Sequence, residues 1–131
     1  MAVNRETASL GVPWEKDYGY AQAVKVGDTI YLSGQVSHDD NGTIIGSGDM
    51  EAQMRQTYVN IRKVLAQFGA TLDNVVDEVT FVTDIEAAMV AAAKVRPEVY
   101  PGRPAVTSTL IQIPRLAFPE LMIEVKCVAR L

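Results

Sequence analysis

The chain has 131 residues, of which 48% are hydrophobic and 21% are charged, as in ordinary globular proteins. Its net charge of −4 and the lack of any basic run disfavour nucleic acid as a partner, because phosphate binding draws on clustered Lys and Arg. The single cysteine, Cys127, excludes an intrachain disulfide and a cysteine-based metal site. No segment has the pattern of a secretory signal or of a membrane span, so we expect one cytoplasmic domain over residues 1–131 with no membrane contact.

The first part of the chain predicts short strands. Residues 1–16 show no periodic pattern, and we expect an irregular lead-in. Residues 18–26 and 29–33 are predicted strands joined by a turn at Gly27. A further short strand is expected at residues 43–46, after a cluster of turn-forming residues.

The clearest element is a helix from about Asp49 to Phe68. Its apolar residues recur at spacings of three and four, which is typical of one buried helix face: Met50, Met54, Tyr58, Ile61, Leu65 and Phe68. Gly69 follows directly and favours a left-handed C-terminal cap. The spacing alone explains this stripe as core.

The second half predicts an alternation of strands with one more helix. Residues 75–82 are rich in β-branched side chains and are predicted to form a strand. A helix should run from residue 84 or 85 to about Val95, because prolines follow from Pro97 onward. Strands at 105–113 and 121–129 complete the order β-β-β-α-β-α-β-β. This is an α+β layout with two helices on one face of a mixed six-stranded sheet.

The last strand carries one acidic residue, Glu124, inside an apolar run. Alternation places Ile123, Val125 and Cys127 toward the helices and Glu124 with Lys126 on the other face. That second face mixes apolar and charged side chains, which favours a subunit interface containing a polar pocket. An unpaired buried carboxylate is costly, so Glu124 must be solvated, paired or held in a pocket.

Three segments, taken together, resemble the reactive-intermediate-deaminase (Rid) family, also called endoribonuclease L-PSP or YjgF-like. They are residues 26–36 with the run Ser33-Gly34-Gln35-Val36, the helix end at 67–70 together with the strand at 75–84, and the final strand at 121–126. The resemblance covers nearly the whole chain. It implies a chorismate-mutase-like fold that assembles as a homotrimer, with ligand sites between subunits.

The resemblance also implies a chemistry. Deaminating members hydrolyse small imines and enamines and release ammonia, without a cofactor or metal. Glu124 is then the catalytic residue that positions or activates water. Tyr20, Ser33 and Gly34 are expected to line the substrate pocket.

At one position the chain departs from the family pattern. Deaminating members carry Pro-x-Arg-[Ser/Thr] at the start of the penultimate strand, and an arginine there clamps the substrate carboxylate. Here Val106 stands at that arginine position, followed by Thr107 and Ser108, which we also expect at the substrate site. Arg103 is the first candidate to replace the missing cation, and Arg115 is the second.

Each site residue has a structural alternative. Glu124 could form an ion pair with Lys126 or with a cation of a partner subunit. Tyr20 could be a packing residue with an exposed hydroxyl, and Ser33 a turn or strand-end residue. His38 is predicted to be a solvated loop residue, or else to lie at the pocket rim.

Three functions are therefore consistent with the sequence. The first is a hydrolytic deaminase of a small reactive enamine or imine, with typical imino-acid activity in doubt because of Val106. The second is a non-catalytic or regulatory protein that binds a small metabolite in the same pocket. The third is an endoribonuclease, which the acidic charge balance disfavours.

Overall fold

A computed structural model describes residues 2–102 and 105–131. It contains six strands, three α-helices and one 3-10 turn. In chain order they are β1 (Glu6–Ala8), α1 (Pro13–Tyr18), β2 (Ala23–Val26), β3 (Thr29–Leu32), α2 (Met50–Ala66), the 3-10 turn (Leu72–Asn74), β4 (Val75–Val82), α3 (Ile85–Val99), β5 (Thr107–Gln112) and β6 (Ile123–Arg130).

The strands form one mixed sheet in the order β1-β2-β3-β6-β4-β5. Only β4 and β5 are parallel, which α3 makes possible by crossing over between them. The last strand, β6, lies in the middle of the sheet between β3 and β4. The predicted α+β class with a mixed six-stranded sheet is confirmed.

Helices α2 and α3 cover one face of this sheet. The inward side chains of β6 are completely buried, and Lys126 and Arg130 on the opposite face are exposed. The helices contribute Ile61 of α2 and Val95 of α3 to the core, both at most 1% exposed. Cys127 lies in this core as expected, and burial raises the pKa of its thiol. No helix in the described ranges is long and apolar enough to cross a bilayer.

The N-terminal segment differs from the expected irregular lead-in. Residues 6–8 form β1, which pairs with β2, and Pro13 opens α1 at the position where a missing N–H costs least. The predicted strand at 43–46 is instead reduced to a single bridge between His38 and Ile44. The sixth strand of the sheet is therefore the N-terminal β1 and not residues 43–46. Backbone pairing with β2 at the sheet edge makes β1 a strand, and its three residues show no local pattern that would predict one.

Helix α3 also runs four residues beyond its predicted end. It passes Pro97 and ends at Val99, because a proline removes only one helical N–H donor. The N–H of Tyr100 still donates to the carbonyl of Arg96 at 2.8 Å. Val99 and Tyr100 are 8% and 9% exposed, so burial of this last turn outweighs the cost of the proline.

Candidate functional site

A cavity of about 250 Å³ opens beside the start of β6. Three separate parts of the chain enclose it: α1 with the residues that lead to β2, the stretch after β3, and the loop before β6 with the start of that strand. The lining residues are Trp14, Tyr18, Tyr20, Gln22, Gly34, Gln35, Val36, His38, Ala117, Phe118, Leu121 and Glu124.

Glu124 lies directly against Gly34 in this cavity. A Cβ atom at Gly34 would stand 2.5 Å from both Cδ and Oε2 of Glu124, closer than real Cβ contacts allow. The chain has nine glycines, and eight have positive φ, so Gly34 is the exception. A residue larger than glycine at position 34 would therefore displace the Glu124 carboxyl group, whereas the backbone angles at this position do not call for glycine.

The Glu124 carboxylate is half-buried and carries no hydrogen bond from any residue in 2–102 or 105–131. Burial raises the pKa of Glu124 above its ordinary value, and the positive charge of Lys126 only partly offsets this. The Lys126 ammonium itself donates to the carbonyl of Leu32 at 3.1 Å. A carboxylate in this state is a stronger base than a solvated one and is free to bind water or a ligand.

A chain of amide side chains runs along the cavity wall from Glu15 to Gln35. The Gln22 amide donates to Glu15 at 3.1 Å, and the Gln35 amide donates to Gln22 Oε1 at 2.8 Å and to the carbonyl of Ser33 at 3.1 Å. Burial alone would raise the pKa of Glu15, but hydrogen bonds from Ser9, from Gln22 and from backbone N–H groups outweigh burial and lower it. Because each amide nitrogen donates to an oxygen acceptor, these bonds fix which end of each amide is the nitrogen and which is the oxygen.

The last amide of this hydrogen-bonded series has one atom without a hydrogen-bond partner. Gln35 is 1% exposed, and its Oε1 accepts no hydrogen bond among the described residues. The amide cannot rotate to exchange its oxygen and nitrogen, because both of its present partners are acceptors. This unpaired acceptor is enclosed by protein atoms behind the cavity lining.

Aromatic rings form the other side of the cavity. Trp14 lies edge-on to Phe118 and to His38, with ring centroids 5.4 and 5.1 Å apart. His38 is 3% exposed, so its prediction as a solvated loop residue is wrong. Its Nδ1 bonds the carbonyl of Asp39 and its own carbonyl accepts from Asn60, which hold it inside the fold.

Comparison with known proteins places the chain in a family. The sequence model of the family Endoribonuclease L-PSP matches residues 15–131. The chain belongs to the endoribonuclease L-PSP family. This confirms the resemblance to the Rid or YjgF proteins.

Two relatives in this family match over most of their length. The RutC family protein YjgH of Escherichia coli is 30% identical, covering 88% of this chain and 85% of its own. The protein mmf2, mitochondrial, of Schizosaccharomyces pombe is 34% identical, covering 98% and 96%. The crystal structure of Rv2704 of Mycobacterium tuberculosis, titled a member of the YjgF/YER057c/UK114 family, has a TM-score of 0.85 at 27% identity, with 98% and 100% covered.

The first group of residues that the family resemblance implied lies together. Tyr20, Gly34 and Glu124 line the cavity. Burial, together with the nearby carboxylates of Glu15 and Glu124, raises the pKa of Tyr20. Ser33 directly precedes Gly34 in the chain, and its hydroxyl donates to the carbonyl of Ala21 at 2.7 Å.

The second group of residues implied by the L-PSP family lies elsewhere in the same chain. Thr107 pairs with Asp77 of β4, whereas Glu124 pairs with Phe81, four residues further along the same strand. Because β5 and β6 also lie on opposite sides of β4, Thr107 and Glu124 are separated by ~16 Å. Ser108 faces the helices and donates to Glu78 at 3.3 Å, while Val106 packs against the core. One chain therefore does not bring Val106, Thr107 or Ser108 to Glu124.

Two arginines were predicted to replace the missing cation of the family pattern. Arg103 lies outside the described residues. Arg115 is exposed in the loop before β6 and is not among the residues that line the cavity.

Replacing Glu124 with Gln should make this family member more stable at neutral pH. The carboxyl is harder to ionise in the folded state, so the folded protein binds the proton more tightly than the unfolded chain. Its contribution therefore favours folding below the unfolded pKa and is lost as pH rises through the folded pKa. Thermal unfolding at pH 7.5 should show a higher Tm for Glu124→Gln, and the difference should vanish near pH 4.

The matched control is Glu86→Gln. Glu86 is exposed in the first turn of α3, where a negative charge favours the helix, so its loss should be neutral or slightly destabilising. A lower Tm for Glu124→Gln than for the wild type at pH 7.5 would contradict the desolvated state of this carboxylate.

Proposed function

We propose that this chain hydrolyses small imines or enamines in the cavity, with Glu124 as general base. The observation that carries the proposal is a half-buried carboxylate without a hydrogen-bond partner, held against Gly34 at the wall of an open cavity. Such a carboxylate has the basicity and the free lone pairs that activation of water needs. Family membership supports the assignment.

The reaction balances with one water and one protonated imine. Glu124 takes a proton from water while the water oxygen attacks the imine carbon, and the C=N electron pair moves to nitrogen. Glu124 then returns its proton to that nitrogen. The C–N bond breaks, the hydroxyl proton passes to the leaving ammonia as the carbonyl forms, and the products are a carbonyl compound and ammonium. An enamine first tautomerises to the imine.

The site is proposed to be completed between subunits of a homotrimer. The outer sheet face presents Tyr31, Phe81 and Ile111 without cover from the chain's own helices, and Tyr31 and Ile111 are 50% and 41% exposed. A face of this composition favours association with other copies. Association could bring the β5 start of one subunit, with Thr107, toward Glu124 of the next.

Ammonia release tests the hydrolytic function. Freshly generated imines and enamines, with and without a carboxylate, are mixed with the protein, and ammonia is measured above the spontaneous rate. The wild type should accelerate release from at least one compound, and Glu124→Gln should lower kcat by about 10²–10⁴-fold. Light scattering should give the mass of three chains.

Other outcomes would assign other functions. Binding of small molecules without release from any compound would favour the non-catalytic metabolite-binding function. Degradation of RNA that Glu124→Gln leaves intact would favour the ribonuclease function and remove Glu124 from the site.

A further inference from the structure

A second cavity lies on the helix-covered face of the sheet, between α3 and the edge strand β5. Its volume is about 360 Å³, and among the described residues it shares no lining residue with the cavity beside Glu124. Consecutive residues of β6 separate the two cavities, because Ile123 faces the helices and Glu124 faces away from them. The residues that line the second cavity are Met54, Tyr58, Thr80, Ala88, Met89, Ala92, Ala93, Arg96, Ser108, Leu110 and Ile123.

Small side chains of α3 leave this space open. Ala88 and Ala92 are four residues apart and therefore lie on one face of the helix, and both line the cavity together with Ala93. Met54 of α2 and Leu110 of β5 also line it. Protein interiors are usually close-packed, so a run of alanines on a helix face that covers a sheet leaves room where longer side chains would fill it.

Most of the cavity wall is apolar. Water in an apolar cavity finds few hydrogen-bond partners, whereas an apolar molecule gains free energy by leaving bulk water. An apolar cavity of about 150 Å³ already suffices for benzene, so this cavity has room for a ring with a short substituent. Met89 is 58% exposed at the opening, and an unbranched methionine side chain adapts to ligands of different shape.

One end of the cavity carries a positive charge. Arg96 lines the cavity and pairs with Glu78, which is completely buried and lies behind the lining. A ligand in the cavity therefore comes closer to the guanidinium than to the carboxylate. A cationic ligand would lose its hydration against the apolar walls and would meet a like charge, so this end disfavours cations.

We propose that the cavity between α3 and β5 is a second binding site, which takes a small neutral organic molecule of about the size of a substituted benzene ring. The apolar walls bury the surface of the ligand, and Arg96 discriminates against cationic analogues. This binding does not depend on the proposed hydrolysis, because Glu124 lies on the other face of the sheet.

Methyl NMR of protein labelled with ¹³C-methyl methionine tests the proposal at the cavity itself. The chain has five methionines, of which Met54 and Met89 line the cavity and Met50 does not. Acetophenone, a neutral aromatic ketone, should shift the signals of Met54 and Met89 saturably, with a Kd on the order of 1 mM, and leave Met50 nearly unchanged. Benzylammonium at pH 7.5 should bind this site at least about tenfold more weakly.

Filling the cavity gives a variant with a matched control. Ala92→Leu adds three carbon atoms to the cavity wall and should weaken acetophenone binding at least about tenfold. Ala66→Leu makes the same change at an exposed position of α2 outside the lining and should leave the affinity unchanged. Glu124→Gln should also bind acetophenone at this site like the wild type, whatever its effect on ammonia release.

The absence of a saturable shift of Met54 and Met89 in the wild type, at up to about 10 mM acetophenone, would overturn the proposal. Equal affinity for benzylammonium, or unchanged binding in Ala92→Leu, would overturn it as well. The wild-type titrations decide the question even if Ala92→Leu fails to fold. Saturable binding in a protein that releases ammonia from no imine would support the second site and remove the hydrolytic function alone.

Discussion

Replacing Arg96 with Met should destabilise the protein by about 3–5 kcal/mol, because it leaves a buried carboxylate without its cation. Glu78 in β4 is 0% exposed and forms an ion pair with Arg96 of α3. Tyr58 and Tyr100 donate to the same carboxylate at 2.9 and 2.8 Å. Two hydroxyl donors do not replace a full positive charge in this environment. Urea unfolding at one fixed protein concentration measures the effect.

The chain offers a matched control for this substitution. Arg55 also pairs with a glutamate, Glu98, but that pair lies at the surface with Glu98 58% exposed. Arg55→Met should therefore change the free energy of unfolding by no more than about 1 kcal/mol. Adding Glu78→Gln to Arg96→Met should recover part of the loss, since the buried charge is then gone. An Arg96→Met protein as stable as Arg55→Met would show that Glu78 does not depend on its cation.

Replacing Gly34 with Ala should lower ammonia release by about 10²-fold or more while leaving the fold intact. The new methyl group would overlap the carboxyl end of Glu124, which can rotate away at little cost in stability. A displacement of about 1 Å in a catalytic group is enough for a loss of this size. Ammonia release and urea unfolding, measured on the same preparation, separate the two effects.

Gly69→Ala is the control for this variant. Gly69 follows α2 with φ of 71°, and a Cβ there would meet nothing within 4 Å. The substitution should cost about 1 kcal/mol from the left-handed backbone and leave ammonia release unchanged. If Gly34→Ala kept wild-type ammonia release, the close contact between Gly34 and Glu124 would have no part in catalysis.

Regular elements of this fold were predictable because they repeat a local pattern. The apolar spacing of α2 and the alternation in β6 report which side chains face the core, so both were placed within a few residues. Strand β1 has three residues and no such pattern, and only its pairing with β2 makes it a strand. The end of α3 depended on the burial of Val99, which outweighs the local effect of Pro97.

The cavity was only partly predictable for the same reason. Glu124 could be identified because a lone acid inside an apolar strand is unusual, and the family resemblance supplied Tyr20 and Gly34. Trp14 and Phe118 lie more than a hundred residues apart, and no spacing relates them. The only tryptophan of the chain, next to Pro13, was a signal that the segment is ordered. Gln35 stood inside the family motif, but its unpaired oxygen is a property of the packed structure alone.

The pH profile of ammonia release most directly tests the role of the Glu124 carboxylate. If Glu124 is the base, the rate above background should rise with pH through a single ionisation above the ordinary glutamate pKa, and Glu124→Gln should lose both the rate and this ionisation. A Glu124→Gln protein that keeps the wild-type rate and profile would contradict the proposed mechanism.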